Sequence, residues 1–192
     1  MLERIVKLSK LASKDASRFT LNGVWLSWQC GYPVLEVTDG HKASIEKLGK
    51  DALPEFSGEF LVTLEHVAML KVLMKQWSDA PVSYDKALDQ LHFGFNSEVR
   101  VARTTHKKPS FKSFYVEYDN SATKPVPDEY LQPGAHIPVF TTIGINAKYL
   151  LEIAEALKES KEPHVKLVIK DKISPITVFC GDRTAVVMPV RV

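Results

Sequence analysis

The chain has 192 residues, 45% of them hydrophobic and 25% charged, which is enough apolar side chain to bury one sizeable core or two small ones and too much for a disordered polymer. Twenty-five lysines and arginines against 23 acidic residues leave a formal net charge of +2, so bulk charge does not announce a nucleic-acid binder and any basic surface has to be local. No run reaches the roughly 18 apolar residues of a membrane span or the apolar stretch of a signal peptide, and Cys30 and Cys180 stand outside any zinc spacing, so the expectation is a cytoplasmic protein with no membrane contact, metal or cofactor.

Residues 1–18 place Leu2, Ile5, Leu8 and Ala12 on one helical face and Lys7, Lys10 and Lys14 on another, the pattern of an amphipathic helix. Next come β-forming residues in RFTLNGVWLSWQ, interrupted by Asn22-Gly23, and an alternating strand PVLEVTDG that ends in a turn. The order then repeats, with a strand EFLVTL, a helix from about Glu65 to Gln76 with Val67, Leu70, Leu73 and Trp77 inward, and strands LDQLHFGF, VRVARTT and SFYVEY. A third pass has a strand VFTTIGI, a helix opened by an N-cap at Asn146, and strands VKLVIK, PITVFC and TAVVMPV. Three modules of one helix with several antiparallel strands make an α+β protein that repeats in architecture but not in letters. Residues 120–138 hold four prolines and read as a linker or extended connection, separating a two-module unit at 1–119 from a single module at 139–192.

The stretch VTDGHKAS packs Asp39, Gly40, His41 and Lys42 together. His41 beside Asp39 could be a base and its orienter, but no serine or cysteine stands in a nucleophile elbow. A tight turn, with Gly40 at positive φ and Asp39 bonded to nearby backbone, accounts for the first two residues and leaves His41 and Lys42 unassigned. Phosphate-cradling loops, dinucleotide fingerprints and paired-histidine zinc motifs are absent, so no catalytic residue is assigned and the protein reads as a non-enzyme. The candidate phosphate contacts are Lys7, Lys10, Lys14 and Arg18, then Lys71 and Lys75; taken alone, such stripes are solvated helix faces first and DNA contacts second.

Two stretches go further. Leu21-Asn22-Gly23 followed by Thr38-Asp39-Gly40-His41-Lys42, together with Val186-Val187-Met188-Pro189-Val190-Arg191-Val192 closing the sequence, resemble the bacterial sliding clamp, the DNA polymerase III beta subunit. The resemblance implies a DNA-clamp-like fold and a noncatalytic processivity factor. Its pocket would receive short hydrophobic peptides of DNA polymerase and clamp-loader proteins. Onto that pocket it maps Leu21, Thr38, Gly40, His41 and Lys42 from the first module and Asn146, Tyr149, Ile173, Pro175, Val186, Val187, Met188, Pro189, Val190 and Arg191 from the third. Basic helices would meet double-stranded DNA by nonspecific backbone contacts through Lys7, Lys10, Lys14, Arg18, Lys71, Lys75 and Lys148.

The chain departs from that pattern in module number. A family protomer has three domains of two modules each and closes its ring as a homo-oligomer, whereas three modules are legible here; four such chains would supply a ring's twelve. The third helix sets Glu152, Glu155 and Glu159 against Lys148 and Lys158, a charge pattern expected to oppose phosphates. The alternative is a clamp remnant that competes for the same peptides and never encircles DNA.

Overall fold

The computed structural model describes residues 1–29, 31–77, 79–111, 143–158, 164–171 and 173–190. Helix α1 (Leu2–Leu8) buries Leu2, Ile5 and Leu8 and runs into a single 3-10 turn, Ser9–Leu11. Seven residues are too few to hold a helix by propensity; burial of about 1.5–3 kcal/mol per large apolar side chain holds it instead. The helix stops well short of residue 18. Ala12 is extended, and side chains beyond it take over the backbone: the Ser17 N–H and hydroxyl both donate to Asp15 (2.9 and 2.7 Å), and Asn22 Nδ2 donates to the Ser13 carbonyl (2.8 Å).

Strands β1 (Gly23–Gln29), β2 (Tyr32–Thr38) and β3 (Lys42–Lys47) form an antiparallel meander, and β4 (Glu59–Thr63) pairs with the free side of β1. Gly23 opens β1 rather than interrupting a strand: a Cβ there would lie 2.4 Å from the Val62 carbonyl oxygen, so the approach of β4 requires glycine. Helix α2 (Leu64–Gln76) is closed by a reciprocal cap, in which Thr63 Oγ1 accepts the His66 N–H (3.3 Å) and His66 Nδ1 accepts the Thr63 N–H (3.3 Å). Val67, Leu70 and Leu73 face inward as expected; Trp77 does not. It is the extended C-cap, 37% exposed, and packs edge-on against Phe95 at 5.8 Å.

A small sheet follows, β5 (Val82–Asp85), β6 (Gln90–Phe93) and β7 (Val99–Ala102), paired in that order. Helix α3 (Ala147–Leu157) starts at its Asn146 cap, whose side-chain oxygen accepts the Lys148 N–H (2.9 Å), and precedes β8 (Lys166–Val168), β9 (Ile176–Cys180) and β10 (Arg183–Val187). SFYVEY, the proline-rich stretch 120–138, and VFTTIGI before Ile143 lie outside the described residues.

The third module does not make a separate sheet. β10 pairs antiparallel with β3, giving one seven-stranded sheet in the order β4-β1-β2-β3-β10-β9-β8. One apolar core is shared by this sheet, α1, α2 and the small sheet's β6 and β7, and another lies between α3 and the β9–β10 hairpin. Buried Glu46 of β3 stitches the two together, accepting from Arg4 of α1 and lying 3.5 Å from Arg183, its cross-strand partner on β10.

Candidate partner-binding seam

The Thr38–Lys42 turn is built by its own side chains. Gly40 has φ +95°, a conformation that excludes most other residues. Asp39 Oδ1 accepts the N–H groups of His41 and Lys42 (2.9 and 3.0 Å), while Thr38 Oγ1 accepts the Gly40 N–H (3.0 Å) and donates to the Lys42 carbonyl (2.8 Å). Burial alone would raise the Asp39 pKa; the hydrogen bonds from Lys42 Nζ (2.6 Å) and those two backbone groups outweigh it and hold the carboxyl below the ordinary range. Asp39 is thus committed to the turn.

The β3–β10 pairing delivers the turn to the chain's last described residues. Met188 N–H donates to the His41 carbonyl (3.0 Å), and Val190 N–H donates to Gly144 (2.9 Å), just ahead of α3. On the helix side, Tyr149 stacks on His41 with centroids 6.1 Å apart, and Lys42 Nζ lies 4.7 Å from the Tyr149 ring centre and 2.8 Å from Glu152. Burial disfavours the Lys42 cation, but its hydrogen bonds to Asp39 and Glu152 prevail and raise its pKa. A cleft of about 250 Å³ opens here, lined among others by Lys10, Lys14, Arg18, His41, Lys148 and Tyr149.

No protein-family model and no curated protein matches the sequence. The whole chain superposes on solved clamps. A DNA polymerase sliding clamp from Pseudomonas aeruginosa matches at a TM-score of 0.69 and 18% identity, over 100% of this chain and 64% of that one. The DNA polymerase III beta subunit of Thermotoga maritima gives 0.69 and 17%, over 100% and 63%. A Bartonella birtlesii clamp solved bound to griselimycin gives 0.67 and 18%, over 100% and 64%.

The fold is that of the bacterial sliding clamp. The likeness is one of architecture, and this chain spans less than two thirds of the length of those clamps.

On this clamp fold the residues proposed for the pocket separate into groups. His41, Lys42 and Tyr149 line the cleft with four of the residues assigned to DNA, Lys10, Lys14, Arg18 and Lys148. Val187 is buried beneath α3, whereas neighbouring Val186 points to the opposite face, against Ala43 and Phe111. Met188 and Pro189 are half-buried and Val190 is exposed. Leu21, half-buried in the 3-10 turn before β1, and Pro175, just ahead of β9, do not line the cleft, nor does Ile173, 76% exposed in a turn held by Asp171. Arg191 lies outside the described residues.

Lys7 pairs with Glu3 (2.8 Å) on α1, and Lys71 and Lys75 are exposed on α2 away from the cleft. The acidic face of α3 is not turned loose on the basic surface: Glu152 meets Lys42, and Glu155 meets Lys10 at 3.4 Å, so both carboxylates dock α3 onto the first module. The residues that sequence reasoning missed are Arg4, Glu46 and Arg183, and the apolar trio Ala43, Ile45 and Phe111. Among the described residues there is no group of three His, Cys, Asp or Glu side chains able to hold a metal, and no helix long and apolar enough to cross a membrane.

Proposed function

We propose that this protein is a sliding-clamp-like accessory factor of DNA replication in the cytoplasm. It works without chemistry, capturing short hydrophobic segments of polymerase and loader proteins at the junction of the Thr38–Lys42 turn and the Met188–Arg191 tail. The observation that carries this reading is the β3–β10 pairing, with its Met188-to-His41 hydrogen bond, which unites two sequence-distant motifs at one edge. The chemistry suits a peptide: Met188, Pro189 and Val190 offer apolar surface, and Lys14, Arg18, Lys148 and His41 offer cations and donors for its carboxylates and carbonyls.

Duplex contact by Lys10, Lys14, Arg18, Lys71, Lys75 and Lys148 would be nonspecific and salt-dependent, and encirclement would need a homo-oligomer. Engagement of Glu152 by the buried Lys42 supports this part, since one of the three carboxylates expected to repel phosphates is answered by a cation outside the duplex contacts. The competing reading is a peptide-binding regulator that never closes a ring.

Calorimetric titration with griselimycin and with a fluorescein-labelled Ala-Asp-Leu-Phe-Gly peptide tests the pocket; absence of binding to both would remove it. Light scattering over a range of concentrations tests the ring: a discrete closed oligomer supports encirclement, and a concentration-independent monomer leaves the regulator.

A further inference from the structure

Among the described residues, more than half of the exposed large hydrophobic side chains lie in the third module. Helix α3 packs on β10 and β3, and Glu152 and Glu155 turn one of its flanks to the first module. Helical spacing puts Leu150 and Ala154 on the opposite flank, with Ala147 and Leu151 at its outer rim, and all four are exposed. A helix apolar on its outer flank as well as its inner one has the pattern of an element with a second neighbour. On the sheet below, Leu167 of β8 pairs with Val178 and so shares the face that packs under α3. Val165, Leu167 and Ile169 alternate onto that face, beyond the reach of α3, and each is at least half exposed. Flank and strand together form an uncharged trough. In the first two modules α1 and α2 lie side by side on one core, whereas α3 has no α-helix on this flank among the described residues.

We propose that this trough is the contact surface for the same surface of a second copy, related by a two-fold axis. Leu150, Leu151, Val165, Leu167 and Ile169 expose roughly 500 Å² of apolar side chain per copy, so a pair covers about 1,000 Å², the size at which specific interfaces begin. None of these five residues is charged, so meeting its own image sets no like charges face to face. Two α3 helices packed antiparallel set Leu150 and Leu151 of one against Ala147 and Ala154 of the other, large against small in both directions, and align their dipoles favourably. The pair builds across two chains what α1 and α2 form within one. This contact lies apart from the peptide seam and does not rest on it.

Sedimentation velocity over a wide range of concentration tests it on the full chain, on Leu150→Lys and on Leu167→Lys, with Met69→Lys on α2 as a control and circular dichroism to verify folding. The parent is expected to be a dimer. Each trough substitution enters a two-fold contact twice, so both are expected to weaken dimerisation at least about tenfold, while Met69→Lys leaves it unchanged. Binding of the labelled Ala-Asp-Leu-Phe-Gly peptide is expected to be equal in all four proteins; its absence from all four removes the peptide site and leaves the dimer standing. A monomer at every concentration overturns the proposal, as does a dimer that either trough substitution leaves intact or that Met69→Lys weakens equally. A larger assembly that both trough substitutions halve in mass supports it, and one that they leave whole overturns it. If Leu150→Lys does not fold, Leu167→Lys decides, since that side chain is half exposed on the last strand of the sheet.

Discussion

The two faces of the β3–β10 seam are made of different chemistry. Toward the helices Lys42 sits among Asp39, Glu152 and the Tyr149 ring, and Glu46 sits between Arg4 and Arg183. On the other face Ala43, Ile45 and Val186 meet Phe111, with the Lys108–Glu36 pair one strand away. The cause is the two-residue period of a strand, which sends successive side chains to opposite sides. The lesson is that a contiguous motif such as Val186-Val187 is not one wall of one pocket: Val187 belongs to the packing under α3, Val186 to the cluster under Phe111 on the opposite face. Charged pairs fix the register on one side; apolar packing under Phe111 holds the other.

The charged face is the more fragile. Glu46→Ala would leave two arginines without their buried partner, and truncating one member of a buried ion pair costs about 3–5 kcal/mol; urea denaturation should show that loss together with loss of peptide binding. Deleting Met188 to Val192 removes the hydrogen bonds to His41 and Gly144 at a net cost of about 1 kcal/mol each, so the fold should survive. Peptide binding should fall below detection, and a truncated chain binding as tightly as the parent would place the site elsewhere. Gly40→Ala forces a side chain into φ +95° with its Cβ 2.7 Å from the Arg18 guanidinium, so a loss of about 1–2 kcal/mol should appear in thermal unfolding, confined to the turn.

The smallest effect lies far from the seam and sharpens the contrast. Burial at the α2 cap lowers the His66 pKa beneath its ordinary 6.5, with Glu65 offsetting part of the shift, so the folded state binds fewer protons than the unfolded chain. The stabilisation is therefore complete above pH 6.5 and is lost as pH falls through the lowered value. Urea midpoints at pH 7.5 and 5.5 should differ for the parent and converge for His66→Gln, with the seam unaffected.

Much of this was legible in the sequence. The Thr38–Lys42 turn, the Asn146 cap and the buried stripe of α2 follow from local rules, because the groups that satisfy them are at most a few residues away. The pairing that creates the candidate site was not legible. β3 escaped assignment because Lys42 and Glu46 face inward, reversing the usual polar-out alternation; only distant ion partners make that tolerable. Trp77 misled for the opposite reason: its spacing continues the helix stripe, but the backbone leaves the helix at that residue. Phe111 carries no sequence signal at all, since its three contacts come from strands on either side of the fold's main crossover.

The union of β3 with β10 also sets a schedule. Lys10 and Glu155, which help hold the third module in place, are 145 residues apart in sequence, and pairings of such long range form slowly because the intervening chain must be ordered first. During synthesis the first two modules can collapse on their shared core while the β3 edge stays bare, and the proposed site does not exist until residues 183–190 have been made and docked. The edge exposed in the meantime is the place where misassembly with a second copy would begin.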